Sequence, residues 1–131
     1  IPPNDLMLNS AQLREMRASG MHIGAHTVSH PILARVGLDE ASIEITRSKV
    51  FLEQLLEEKI RLFAYPNGKP DEDYLPHSVD IVRSVGFDAA VSTAWGASRS
   101  GDDLLQIRRF TPWDTSRLRF GVRMLANLRL A

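Results

Sequence analysis

Short apolar runs alternate along this chain with longer segments of helical periodicity, and that alternation restricts the fold more than any other feature. Runs at residues 21–25, 61–65, 87–92 and 104–110 have strand length. Between them lie segments with helix signals. Asn9 stands where an N-cap would, with Gln12 three residues on, Leu8 placed to staple against Leu13, and Gly20 available to close the helix. Asp39 is positioned to cap a long helix reaching about residue 59, with Ile45, Val50, Leu52, Leu55 and Leu56 available for a core and charged residues opposite. A third helix is expected from His77 to Val85, ended by Gly86, and a fourth from about Thr115, burying Leu118, Val122, Leu125 and Leu128. Helices between short apolar strands imply an α/β fold with a mostly parallel sheet.

At 131 residues with no repeat, low-complexity tract or linker, the whole chain, 1–131, is read as a single domain. Sixteen basic residues cancel sixteen acidic ones, so nothing suggests an electrostatic hold on nucleic acid or an anionic membrane, and a neutral substrate fits better. The absence of cysteine excludes disulfides and thiolate metal ligands. No apolar run approaches the length of a membrane span, and the first residues carry no secretory pattern.

The first apolar run leads into His26-Thr27-Val28-Ser29-His30-Pro31. If the segment turns helical after Ala25, residues four apart share one face with Cβ atoms roughly 5–6 Å apart, and two imidazoles could grip one cation. The other reading is a pair of partly buried histidines satisfied by backbone hydrogen bonds. Such spacing alone is a weak signal, and its context has to carry the assignment.

That context resembles the polysaccharide deacetylase family, whose NodB-homology domain carries His-(Ser/Thr)-x-x-His after a strand. A second ordered match is Phe63-Ala64-Tyr65-Pro66-Asn67-Gly68, similar to the family's Phe-Arg-Pro-Pro-Tyr-Gly motif in its Ala-Tyr-Pro variant. A softer likeness is the strand beginning Gly86-Phe87-Asp88. The resemblance covers most of the chain and implies a partial, distorted (β/α) barrel of NodB type. The family's first motif, a Thr-Phe-Asp-Asp-Gly strand end, is not in this sequence. The expectation is therefore the C-terminal part of a deacetylase domain, inactive alone. Its uncovered parallel edge would invite a homodimer, poor solubility or a longer parent chain.

The resemblance implies removal of N-acetyl groups from a polysaccharide. His26 and His30 would be ligands for a divalent metal, most simply Zn²⁺, which would polarise the acetamide carbonyl and activate the attacking water. The third ligand and the base would be the absent aspartates. The Asn67 backbone N–H, at the position of the family's tyrosine, would help stabilise the oxyanion, and Thr27 and Ser29 would help fix the histidine loop. Tyr65, Trp95 and Trp113 are candidate sugar-stacking residues, with Arg109 and Asp114 available for hydroxyls. Asp114 is equally placed to cap the last helix. Resemblance alone suggests the cell envelope or periplasm.

Two departures bear on catalysis. Ala64 replaces the arginine that usually orients the base. Leu105-Gln106-Ile107-Arg108 puts an arginine where the family's last motif places a histidine general acid, and a guanidinium stays protonated. His22 and His77 are then the remaining histidines that could serve as the acid. The alternative function is a noncatalytic carbohydrate-binding or assembly module that kept the fold; a third possibility is an α/β piece whose histidines are structural.

Overall fold

The computed structural model describes residues 7–109 and 113–129. Six regular elements follow one another: α1 (Ser10–Ala18), α2 (Leu38–Leu56), β1 (Leu62–Ala64), α3 (Pro76–Val85), β2 (Ala89–Val91) and α4 (Arg117–Arg129), with single 3₁₀ turns at Leu33–Arg35 and Leu104–Gln106. β1 and β2 pair in parallel, with Leu62 opposite Ala89, Phe63 opposite Ala90 and Ala64 opposite Val91. Parallel bridges extend the sheet by one residue on each side, Ala25 against Phe63 and Ile107 against Val91. Four segments therefore lie side by side in chain order, all pointing the same way. This is the open arc of a β/α barrel, as expected, and no closed barrel forms among the described residues.

The outer two segments are shorter than the sequence suggests, for local reasons. Met21 still serves α1, its N–H donating to the Met16 carbonyl, so only Ala25 reaches β1. At the other side the Asp103 carboxylate accepts the Leu105 N–H and winds residues 104–106 into a 3₁₀ turn, leaving Ile107 alone to pair. Residue 110, the end of that expected strand, lies outside the described residues.

Asn9 and Gln12 form the reciprocal capping box the sequence implies, each contact 2.9 Å. Leu8 remains exposed, so the expected staple buries little. Asp39 does not cap α2; Gly37 does, and Asp39 lies in the first turn, where a carboxylate still favours the helix dipole. α2 ends at Glu57 in a left-handed conformation rather than at residue 59. It buries Ala41, Ile45 and Ser48, with Leu52 and Leu56 packed more loosely against the core, while Val50 is exposed. α3 presents Val79 and Val82 to the same core and ends at Gly86 as expected. Lys49 of α2 donates to the carbonyls of Val85 and Gly86, at 3.1 and 2.6 Å, and lies over the Phe87 ring. A cation thus satisfies the C-terminal end of α3 and locks the two helices together.

Phe63 sits at the centre, its ring edge-on to Tyr65 and tilted against Phe87. Burial of each such aromatic contributes about 1.5–3 kcal/mol. The last helix departs from expectation: Leu118, Val122 and Leu125 of α4 are 79, 59 and 66% exposed. Their spacing does form an apolar stripe, but none of the described elements covers it. The side chain of Leu128 lies outside the described residues. No helix among the described residues is long and apolar enough to cross a membrane.

Candidate active site

Parallel strands deliver their C-terminal ends to one rim, and that rim is where folds of this kind place chemistry. Three successive ends meet there: Ala25 leads into His26, Ala64 into the turn at residues 65–68, and Val91 into Thr93.

The histidine segment is not helical. His26 and His30 come together because the backbone doubles back, with Thr27 and His30 both left-handed at φ 65° and 59°. Their rings lie edge to face with centroids 4.8 Å apart. A β-branched residue in that region costs on the order of 1–3 kcal/mol and needs its surroundings to hold it. The Thr27 hydroxyl donates to the His26 carbonyl at 2.5 Å and accepts the His30 N–H at 3.1 Å. Glu44, from α2, grips the tip of the turn: one oxygen accepts the N–H groups of Val28 and Ser29, both at 2.8 Å, and the other accepts the Ser29 hydroxyl at 3.0 Å. Desolvation pushes the Glu44 carboxyl up, but these hydrogen bonds from Ser29 and Val28, with the nearby Arg47 charge, outweigh it and hold the group below its ordinary range. Sequence reasoning gave Thr27 and Ser29 a loop-fixing role but missed Glu44, which looks like any acidic residue on a helix.

His26 Nδ1 lies 2.7 Å from the Ala64 carbonyl. A carbonyl only accepts, so Nδ1 carries the proton and the Nε2 lone pair is left free, the arrangement in which a histidine ligates a metal. The donor chemistry therefore fits a divalent ion held by two imidazoles. Among the described residues no third His, Asp or Glu joins them. The sequence does contain an Asp-Asp pair, Asp102-Asp103, but it is spent elsewhere: Asp102 accepts the Arg99 N–H, and Asp103 caps Leu105 and pairs with Arg83 of α3.

The turn after β1 is built around Asn67 and Gly68. Asn67 is left-handed at φ 55° and exposed, and its N–H donates to nothing among the described residues. Gly68, at φ 82°, is required twice over: a Cβ there would lie 3.1 Å from both the Thr93 nitrogen and the Tyr65 oxygen. Thr93 staples this turn to the next strand end, donating its N–H to the Gly68 carbonyl at 2.7 Å and its hydroxyl to the Asn67 carbonyl at 2.9 Å.

Of the three aromatic candidates, Tyr65 is placed in the core. It is 1% exposed, stacked on Tyr74 at 3.8 Å, with its hydroxyl donating to the Leu105 carbonyl, so neither face is offered to a sugar. Trp95 and Trp113 are 61 and 80% exposed and line one cleft of about 550 Å³ together with Arg109 and Lys69. Thr93 is also in its wall, so the cleft adjoins the Asn67 turn. Arg108, at the position of the family's histidine, donates to the Trp95 carbonyl at 3.1 Å. Asp114 neither caps α4 nor faces the cleft wall; it forms a two-point ion pair with Arg123. His22 belongs to a different place, beside Glu58 below the start of β1, and His77 is in the first turn of α3.

Known proteins resemble this chain in sequence and fold. The polysaccharide deacetylase family profile matches residues 6–90. The putative polysaccharide deacetylase YxkH of Bacillus subtilis is 24% identical over 102 residues, covering 78% of this chain and 35% of that protein. The Streptococcus pyogenes deacetylase PplD, solved with acetate, superposes with a TM-score of 0.80 at 25% identity, over 95% of this chain and 52% of its own. IcaB from Ammonifex degensii superposes at 0.74 with 25% identity, over 92% and 54%. The chain thus spans about a third to a half of the proteins it matches. With the histidine loop and the Asn67 turn both inside the matched residues 6–90, the chain belongs to the polysaccharide deacetylase family.

Proposed function

We propose that this chain supplies the two-histidine face and the acyl-side turn of a metal-dependent hydrolase that removes N-acetyl groups from a polysaccharide. The observation that carries the reading is the His26 contact with Ala64, which leaves Nε2 of one imidazole free beside a second imidazole. A divalent ion such as Zn²⁺, bound to His26 and His30, would supply Lewis-acid polarisation of the acetamide carbonyl and lower the pKa of the attacking water. The chain's own residues do the rest of what can be assigned to it. The exposed N–H of Asn67 is free to donate to the oxygen that becomes negative as the carbonyl carbon turns tetrahedral. Thr93 holds that turn in place, and Trp95 and Trp113 offer flat apolar faces to neighbouring sugars. The base and the remaining ligand are contributed by residues outside this sequence, so the isolated chain is expected to release no acetate.

A second reading has specific support: alanine at 64 and arginine at 108 remove the cation that orients the base and the histidine that donates a proton in the family pattern. A noncatalytic glycan-binding module would tolerate both changes. Metal affinity of the purified chain, measured beside His30→Ala, tests the first reading. At least about tenfold weaker Zn²⁺ binding by the variant is expected from loss of one of two ligands. Equal binding by both would sink the metal site. Acetate release from an N-acetylated oligosaccharide, after the chain is joined to an upstream segment carrying paired aspartates, separates hydrolase from binding module.

A further inference from the structure

The cleft beside the Asn67 turn has a charge the chain as a whole does not. Sixteen acidic residues balance sixteen basic ones overall, yet among the described residues the ionisable side chains lining this cleft are Lys69 and Arg109, both cationic. The Lys69 ammonium pairs with Glu72 three residues on, but both side chains are about 60% exposed. An exposed pair of this kind contributes little and yields readily to a competing anion. The exposed rings of Trp95 and Trp113 line the same cleft. Two aromatic rings sharing a cleft with a lysine and a fork-shaped guanidinium match a sugar that also carries a negative group, since Arg109 can engage a carboxylate or phosphate at two points. A neutral sugar would use the rings and leave both cations as mere solvated charge.

We propose that this cleft selects a glycan bearing an acidic substituent, carboxylate or phosphate, on a residue next to the one presented at the Asn67 turn. The inference rests on the deacetylase reading for its orientation but not for its test. The chain has two tryptophans, and both line the cleft, so intrinsic fluorescence reports this site alone. Titration with a hyaluronan hexasaccharide, whose sugars alternate N-acetylated and carboxylated, is compared with neutral chitohexaose at low and high salt.

The acidic oligosaccharide is expected to bind about tenfold more tightly at low salt, with the preference shrinking as salt screens the charges. In the Lys69→Gln/Arg109→Gln double variant the two probes should bind alike, because the preference for the acidic one is lost. Far-UV circular dichroism checks that the variant is folded, which both exposed side chains favour. Equal affinity for the two probes, a preference that survives in the variant, or no fluorescence change with either probe would each overturn the proposal. None of those outcomes bears on the histidine site, which the metal titration tests separately.

Discussion

The Ala64 carbonyl accepts the Nδ1 proton of His26 at 2.7 Å, so the orientation of the first histidine is set by the backbone of the next strand end. The same residue lacks the arginine side chain of the family pattern, yet its main chain still serves the site. Two-dimensional ¹H–¹⁵N spectra tuned to imidazole should show neutral His26 protonated on Nδ1, and Zn²⁺ should perturb its Nε2 resonance most. A proton found on Nε2 instead would mean the ring is not held as a ligand.

Glu44 is the residue on which the histidine turn depends most. Glu44→Ala should cost about 0.5–1.5 kcal/mol, because it removes the charged acceptor of two backbone N–H groups and one hydroxyl, which water at this exposed turn replaces only in part. Because its folded carboxyl titrates below its unfolded value, its contribution is present above pH about 4.3 and is lost as pH falls through the lower folded value. Thermal melts of the wild type should therefore lose stability in acid more steeply than those of the variant. Parallel acid profiles would show that the carboxylate contributes nothing.

Gly68→Ala tests the turn after β1. The left-handed backbone and two main-chain atoms at 3.1 Å leave the new methyl nowhere to go, so a loss of about 1–3 kcal/mol is expected. Asn67→Ala shares the backbone conformation but adds no clash, and should cost less. A Gly68→Ala melting temperature equal to the wild type would show the turn to be looser than these contacts indicate.

Both tyrosines of the chain, Tyr65 and Tyr74, are buried and stacked on each other. Burial raises both phenol pKa values, Tyr65 strongly. Groups raised on folding give stability that is complete below the unfolded value, about 10, and is lost as pH rises toward the folded one. Phenolate absorbance should thus stay absent from the native protein above pH 10 and emerge only with unfolding. Smooth titration near 10 in the folded state would place the rings at the surface. Tyr65→Phe should reduce the alkaline loss, while costing about 1–2 kcal/mol at neutral pH by leaving the Leu105 carbonyl unpaired.

The uncovered stripe of Leu118, Val122 and Leu125 predicts self-association of the isolated chain. Sedimentation velocity over a concentration series should show a mass that grows with concentration, and Val122→Lys should suppress it. A monomer throughout would remove the homodimer expected from the sequence.

The helices were legible because their signals are local: the Asn9–Gln12 box and the Gly86 stop need no knowledge of the rest of the chain. Strand lengths at the two outer segments were not, because the competing bonds at Met21 and Asp103 outbid sheet pairing without changing the apolar pattern. His26 and His30 meet as their spacing suggested, though by left-handed residues and not by a helical face. Glu44 left no mark in the sequence, since its partner is the backbone of a segment 15 and 16 residues away. The aromatic positions divided on burial, which residue type does not reveal: Tyr65 filled the core while both tryptophans stayed outside.

Thr93 touches the Asn67 turn through two hydrogen bonds and forms part of the wall of the tryptophan cleft. A glycan lying across both would therefore press on one rigid piece. If the chain joined to an upstream segment with paired aspartates is the proposed hydrolase, contacts made by distant sugars could then be spent on aligning the scissile amide, so shortening the oligosaccharide should lower kcat as well as raise KM. Thr93→Val, which keeps the wall and the backbone bond to Gly68 but removes the hydroxyl bond to Asn67, would narrow the difference between short and long substrates.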